Sequence, residues 1–180
     1  MKKDFQNSPF WDFSLSLYGR PGVADACLFL QDRYGLDVNI ILFCVWVGST
    51  GRGPLENNDV DACIRRTRDW RDRVIEPLRQ IRRACRDEPL GVPEFLLEVF
   101  RPSMHDVELD AEHVEQLILE ELAPPAPPRA IADDIMCDHV RQSLVRYAER
   151  HDGERDARLD ECLLSILRAA FPGVGIDGLD

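Results

Sequence analysis

The sequence predicts an all-α protein, a compact orthogonal bundle of about seven or eight helices with one long proline-kinked helix. Three observations carry this. Apolar residues recur at i, i+3, i+4 and i+7 through most of the chain, the period of a helix face. Helix starts and stops (Ser8-Pro9, Gly35, Asp37, Asp110, Asp156) punctuate those runs. No alternating apolar-polar run of strand type is present.

The first helix starts at Ser8 as N-cap with Pro9 behind it, where the missing N–H costs nothing. Phe10, Phe13, Leu17 and Tyr18 share a face, widened by Trp11 and Leu15, and Asp12 and Ser16 form a narrow polar strip. Pro21 opens a second helix that ends at Gly35. Asp37 caps a third, at 37–47, whose sides are all apolar except for Asn39, so it is expected at the centre. The glycine-bearing connector 48–58 leads to a helix over 59–86 with a seam of Val60, Cys63, Thr67, Trp70, Val74, Leu78, Ile81 and Cys85, kinked at Pro77. This helix is expected to lie across the third. After the DEPLGVP connector, a short helix is expected over 93–101 and another from Asp110 to Leu122, with Leu109 and Val114 as a hydrophobic staple. APPAPPR (123–129) is a stiff linker, followed by helices over 131–151 and 156–171. The reading is one domain over 1–180: a core of 8–86, short helices over 87–122, the linker, and a C-terminal pair over 130–172 docked on the core.

Composition narrows the function. The 180-residue chain carries a net charge of −11, which disfavours nucleic acid as a partner. Charge is unevenly placed: nine arginines against three acids over 65–86 give a local +6, leaving −17 elsewhere. The amino terminus lacks the apolar run of a secretory signal, and the longest apolar stretch, Ile40 to Val47, is too short to span a membrane. Six cysteines fall in helices without a Cys-x-x-Cys pair, which reads as free thiols in a reducing cytoplasm. Twenty arginines to two lysines fit the coding bias of a GC-rich bacterial genome.

Candidate sites follow from polar residues placed against this pattern. Clustered guanidinium groups at Arg65, Arg68, Arg79 and Arg83 suit an acidic partner surface. The spacings Arg68–Asp72, Asp69–Arg73 and Glu76–Arg79 equally suit pairs along one helix. Asn39 is the one polar residue in an apolar helix and needs a partner: a neighbouring cap, Ser16 or Asp12 on the first helix, or a ligand. A small-molecule pocket, if the chain has one, is expected around Trp11, Asp12, Asn39 and Trp46 with an arginine opposite. Asp133, Asp134 and Asp138 resemble a magnesium-binding spacing but also suit a helix N-terminus, and Cys137, His139, His105 and His113 lack a metal-ligand spacing. No cofactor is expected, and no catalytic constellation is present.

The stretch FWDFSLSLYGRPGVADACLFLQDRYGLDVNIILFCVWVG (10–48), with WRDRVIEPLRQIRR (70–83), resembles a small proteobacterial family defined as a domain of unknown function. The likeness covers about residues 8–86. It implies an intracellular, all-helical protein and transfers no catalytic residue. The function expected from the sequence is a non-enzymatic interaction or adaptor module, working through a protein partner or self-association. The alternative is a small-molecule-binding protein or small enzyme with its pocket between the N-terminal helices.

Overall fold

The Ser8 hydroxyl accepts from Trp11 N at 3.0 Å and so caps α1 (Pro9–Tyr18). The computed structural model describes residues 8–87, 90–151 and 153–179. The amino-terminal segment with both lysines and the Glu88–Pro89 step of the DEPLGVP connector lie outside the described residues. Gly22 and Gly35, both at positive φ (79° and 67°), bracket α2 (Val23–Tyr34). Pro21 thus lies in the turn before that helix. Asp37 Oδ1 accepts from Asn39 N at 2.9 Å to start α3 (Val38–Ser49). Every residue from Asn39 to Gly48 is buried, as expected of a helix apolar on all sides.

The long helix is α4 (Asn57–Trp70), a π-helical turn over Arg71–Ile75, and α5 (Glu76–Asp87). Pro77 explains the interruption. It has no N–H, and its ring would collide with the carbonyl four residues back, so the preceding turn widens; Glu76 N reaches back five residues to Arg71 O. The wider turn shifts the side chains, so neither Arg68–Asp72 nor Asp69–Arg73 forms, while Glu76–Arg79 does, at 3.2 Å. The rod packs chiefly along the next helix, α6, and on α7, rather than across α3 as the sequence suggested.

Residues 94–120 correct the sequence reading. The two expected helices are one, α6 (Glu94–Glu120), running through Pro102. Asp110 is therefore an interior residue and not a cap. Arg101, beside the proline, is tied to Cys85 O at 2.9 Å and to Glu94 at 2.5 Å, which anchors the turn before the proline against α5. The chain ends with α7 (Asp133–Ala148) and α8 (Ala157–Ala170), the latter capped by Asp156.

Among the described residues all regular structure is helical. α3 is covered by α1, α2, α6, α7 and α8, and one hydrophobic cluster runs from Phe10 to Leu179. Phe10, Phe43 and Trp46 form its aromatic centre, with ring centroids 5.2–5.9 Å apart. No helix among the described residues is long and apolar enough to cross a membrane.

Candidate functional site

The floor of the site is a polar network buried between α3 and α6. Asn39 Nδ2 donates to Glu115 Oε2 at 2.6 Å, and Gln116 Nε2 donates to Asn39 Oδ1 at 2.8 Å. Asn39 thus finds its partners on α6, not on α1. Behind it, Asp37 meets Glu115 carboxyl to carboxyl; the Asp37 N–H donates to the Tyr147 hydroxyl oxygen at 2.7 Å, and Arg71 Nε lies 3.8 Å from Asp37 Oδ2. Burial pushes Glu115 up to about 9, helped by the nearby Asp37 charge, against the hydrogen bond from Asn39. Glu115 therefore keeps its proton at neutral pH. Asp37 Oδ2 and Glu115 Oε1 are buried and have no hydrogen-bond partner among the described residues, so they are the oxygens left to share that proton.

In front of this floor lies a cavity of about 430 Å³ between α1, α2, α3, α5 and α6. Its walls divide by chemistry. Trp11, Leu15, Tyr18, Leu28, Val38 and Leu42 make one side apolar. Arg79, Arg82, Glu108 and Glu112 make the other side charged but balanced. Arg79 is 3% exposed and pairs with Glu112 at 2.9 Å, Glu76 at 3.2 Å and Glu108 at 3.7 Å. Arg82 grips Glu108 with two of its nitrogens. Burial raises Glu112, and Arg79 opposes that shift; burial also lifts Tyr18 to about 12. Two oxygens of the lining residues have no hydrogen-bond partner among the described residues: Ser14 Oγ and Gln116 Oε1, in residues 3% and 2% exposed.

The sequence-level candidates separate here. Trp11 and Asn39 line the cavity, with Trp11 stacked on His113 at 4.2 Å. Asp12 is exposed and does not meet Asn39, while Trp46 lies in the aromatic core with Arg52 5.0 Å from its ring. The arginine opposite is Arg79, which the sequence placed on the outer face of its helix. Arg83 pairs with Asp32 at 2.9 Å, and Arg65 and Arg68 are exposed. Asp133 and Asp134 start α7, and Asp138 is held by Gln142 at 2.7 Å and Arg141 at 3.4 Å. Glu115 and Gln116 went unnoticed in the sequence because each reads as an ordinary polar residue of an amphipathic helix. The one signal for them was Asn39, which required a buried partner.

The fold and site define an all-α bundle with a polar floor beneath a half-apolar cavity that opens to the surface. The chain belongs to the family described as protein of unknown function (DUF2390), whose sequence model matches residues 9–119. The match extends beyond the amino-terminal likeness, and all the residues of the cavity and its network except Tyr147 fall within it. No curated protein and no solved structure matches the chain.

Proposed function

We propose that the chain is a small-molecule-binding protein whose ligand occupies the cavity between α1, α3 and α6. One observation carries the reading: a half-apolar cavity of about 430 Å³ is lined by Ser14 and Gln116, whose Oγ and Oε1 atoms lack a hydrogen-bond partner among the described residues. Each such group costs about 1–3 kcal/mol while it stays unpaired, a cost that a hydrogen-bonding ligand removes once side-chain rotation turns the oxygen to the cavity surface. Gln116 Oε1 accepts only, so the ligand presents an N–H or O–H there. The guanidinium and carboxylate groups of the opposite wall already neutralise one another, which favours an uncharged head group. The apolar side then takes a hydrocarbon or aromatic body, and Leu15 and Leu28, 52% and 44% exposed, sit at the mouth.

A thermal-shift screen of uncharged amides and alcohols with apolar bodies tests this. A stabilising compound is expected, and Leu28→Trp, which narrows the mouth without touching the core, should abolish its effect. Stabilisation that survives Leu28→Trp and Ser14→Ala alike would place the ligand elsewhere.

A second reading, the interaction module, draws on a different surface. On the N-terminal half of α6, Phe95 and Val99 are 65% and 75% exposed, beside exposed Leu96 and Phe100, an apolar grouping that favours contact with protein. The arginine-rich rod supports that role less, since Arg79, Arg82 and Arg83 are engaged by the chain's own carboxylates. Phe95→Glu with Val99→Glu should lower any self-association seen by light scattering, and an unchanged mass across concentrations removes self-association from this reading. Six buried free thiols favour a reducing bacterial cytoplasm as the setting.

A further inference from the structure

A second, larger cavity of about 750 Å³ opens on the other side of the polar floor, between the end of α2, the π-helical turn and the segment after α7. Its chemistry is different. Four arginines from separate elements line it: Arg33, Arg68, Arg71 and Arg150. Among the described residues, Arg33 and Arg68 have no ion pair; Arg33 lies 5.9 Å from the Tyr34 ring centroid. Arg71 is held by Gly35 O at 3.1 Å and, loosely, by Asp37 at 3.8 Å. Arg150 has Asp61 at 3.1 Å. The π-helical turn matters here, because it breaks the Arg68–Asp72 pairing that an unbroken helix would favour and leaves the Arg68 guanidinium unneutralised.

His151 adds an independent observation. Its Nδ1 faces Ala148 O at 2.5 Å, so that nitrogen carries the hydrogen. Nε2 is buried without a hydrogen-bond partner among the described residues, on a residue that lines the same cavity. The acids of the rim are Asp72, Glu154 and Asp156, of which Asp156 is engaged as the α8 cap and by the Tyr34 hydroxyl at 2.7 Å.

We propose that this cavity binds a phosphorylated small molecule, with Arg33, Arg68 and Arg71 on the phosphoryl oxygens. Donors arriving from three separate elements match the tetrahedrally spread oxygens of a phosphoryl group better than the two coplanar oxygens of a carboxylate. The volume has room for a body of nucleotide size beside it. The site is distinct from the proposed uncharged-ligand cavity, and draws on Tyr147, Arg150, Glu154 and Asp156, beyond the residues that the family model matches.

Calorimetric titration with inorganic pyrophosphate, against succinate at equal ionic strength, tests the assignment. Saturable binding of pyrophosphate is expected, with succinate weaker. Arg33→Ala and Arg68→Ala change exposed side chains without ion pairs, and each should weaken binding about tenfold, the loss of one charge-assisted hydrogen bond. Glu154→Gln should tighten it. The charge-matched control Arg73→Ala with Arg129→Ala, both outside the cavity, should leave affinity unchanged. Absence of saturable heat in the wild type, equal loss in the control, or succinate binding as tightly as pyrophosphate would overturn the proposal. Leu28→Trp, which blocks the other cavity, should leave pyrophosphate binding intact, so the two sites fail separately.

Discussion

Asp37 and Glu115 face each other carboxyl to carboxyl at 1% and 0% exposure, one capping α3 and the other on α6. A pair so placed holds together by sharing a proton, since two buried negative charges would repel without water to screen them. The consequence is a pH-dependent stability with a defined sign. Glu115 releases its proton near the ordinary 4.5 in the unfolded chain and at about 9 in the folded one. Between those values the folded chain holds one more proton, so this pair's contribution falls as pH rises, by at most about 1.4 kcal/mol per unit. Glu115→Gln keeps a donor toward Asp37 and an acceptor for Asn39. Urea denaturation at several pH values should show that the variant lacks this part of the slope between about pH 5 and 9 and overtakes the wild type at the alkaline end. Parallel curves for the two proteins would refute the shared proton.

Arg79 is the centre of a second buried assembly, meeting carboxylates of Glu76, Glu108 and Glu112 from a position 3% exposed. Removing it leaves Glu108 and Glu112 facing each other across a low-dielectric site. Arg79→Met should therefore cost about 3–5 kcal/mol in the urea midpoint analysis, far more than losing an exposed pair. Adding Glu112→Gln to Arg79→Met should recover part of that loss, because one orphaned charge goes with it. A double variant no more stable than the single one would argue against charge burial as the cause.

These two assemblies also mark where the sequence could be read and where it could not. The all-apolar stretch at 38–47 announced a central helix, and Asn39 within it announced a buried polar partner. Local residue types suffice for both. Which partner it finds depends on how α6 is registered against α3, and Glu115 and Gln116 carry no local mark of that register. The Pro102 region shows the opposite failure. Proline is a strong local breaker, yet here the helix continues, with Arg101 holding the turn before the break to Cys85 O on α5 and to Glu94. Arg79 was read as an outward charge because its partners on α6 lie some thirty residues away.

The six cysteines are free and buried, and the deepest are the least acidic. Burial lifts Cys27 and Cys63 to about 12 and holds Cys44 well above its ordinary value. Thiolate, the reactive form, is therefore scarce at these three positions near neutral pH. Native protein should react slowly with a thiol-specific chromogenic disulfide, whereas all six thiols should react at once in denaturant. Fast reaction of Cys27, Cys44 or Cys63 in native protein would show that the helices around them open readily.

At Gly48, near the end of α3, the central helix lies against the backbone of α7. A Cβ there would lie 2.5 Å from Val140 Cγ2, 2.8 Å from its backbone N and 3.0 Å from its Cα. Alanine is the better helix former by about 1 kcal/mol, so an unobstructed Gly48→Ala would stabilise the chain. The obstruction is mostly backbone, which cannot turn aside as a side-chain tip can, so the two helices must separate. Overpacking of this kind costs about 1–3 kcal/mol, which outweighs the propensity gain, and thermal unfolding should show a lowered Tm. Val140→Ala in the same chain removes the 2.5 Å contact but leaves those at 2.8 Å and 3.0 Å. Measured against Val140→Ala alone, Gly48→Ala should thus remain destabilising, by a smaller margin. A gain in stability on that background would mean that the valine side chain, and not the approach of the two backbones, sets the spacing of α3 and α7.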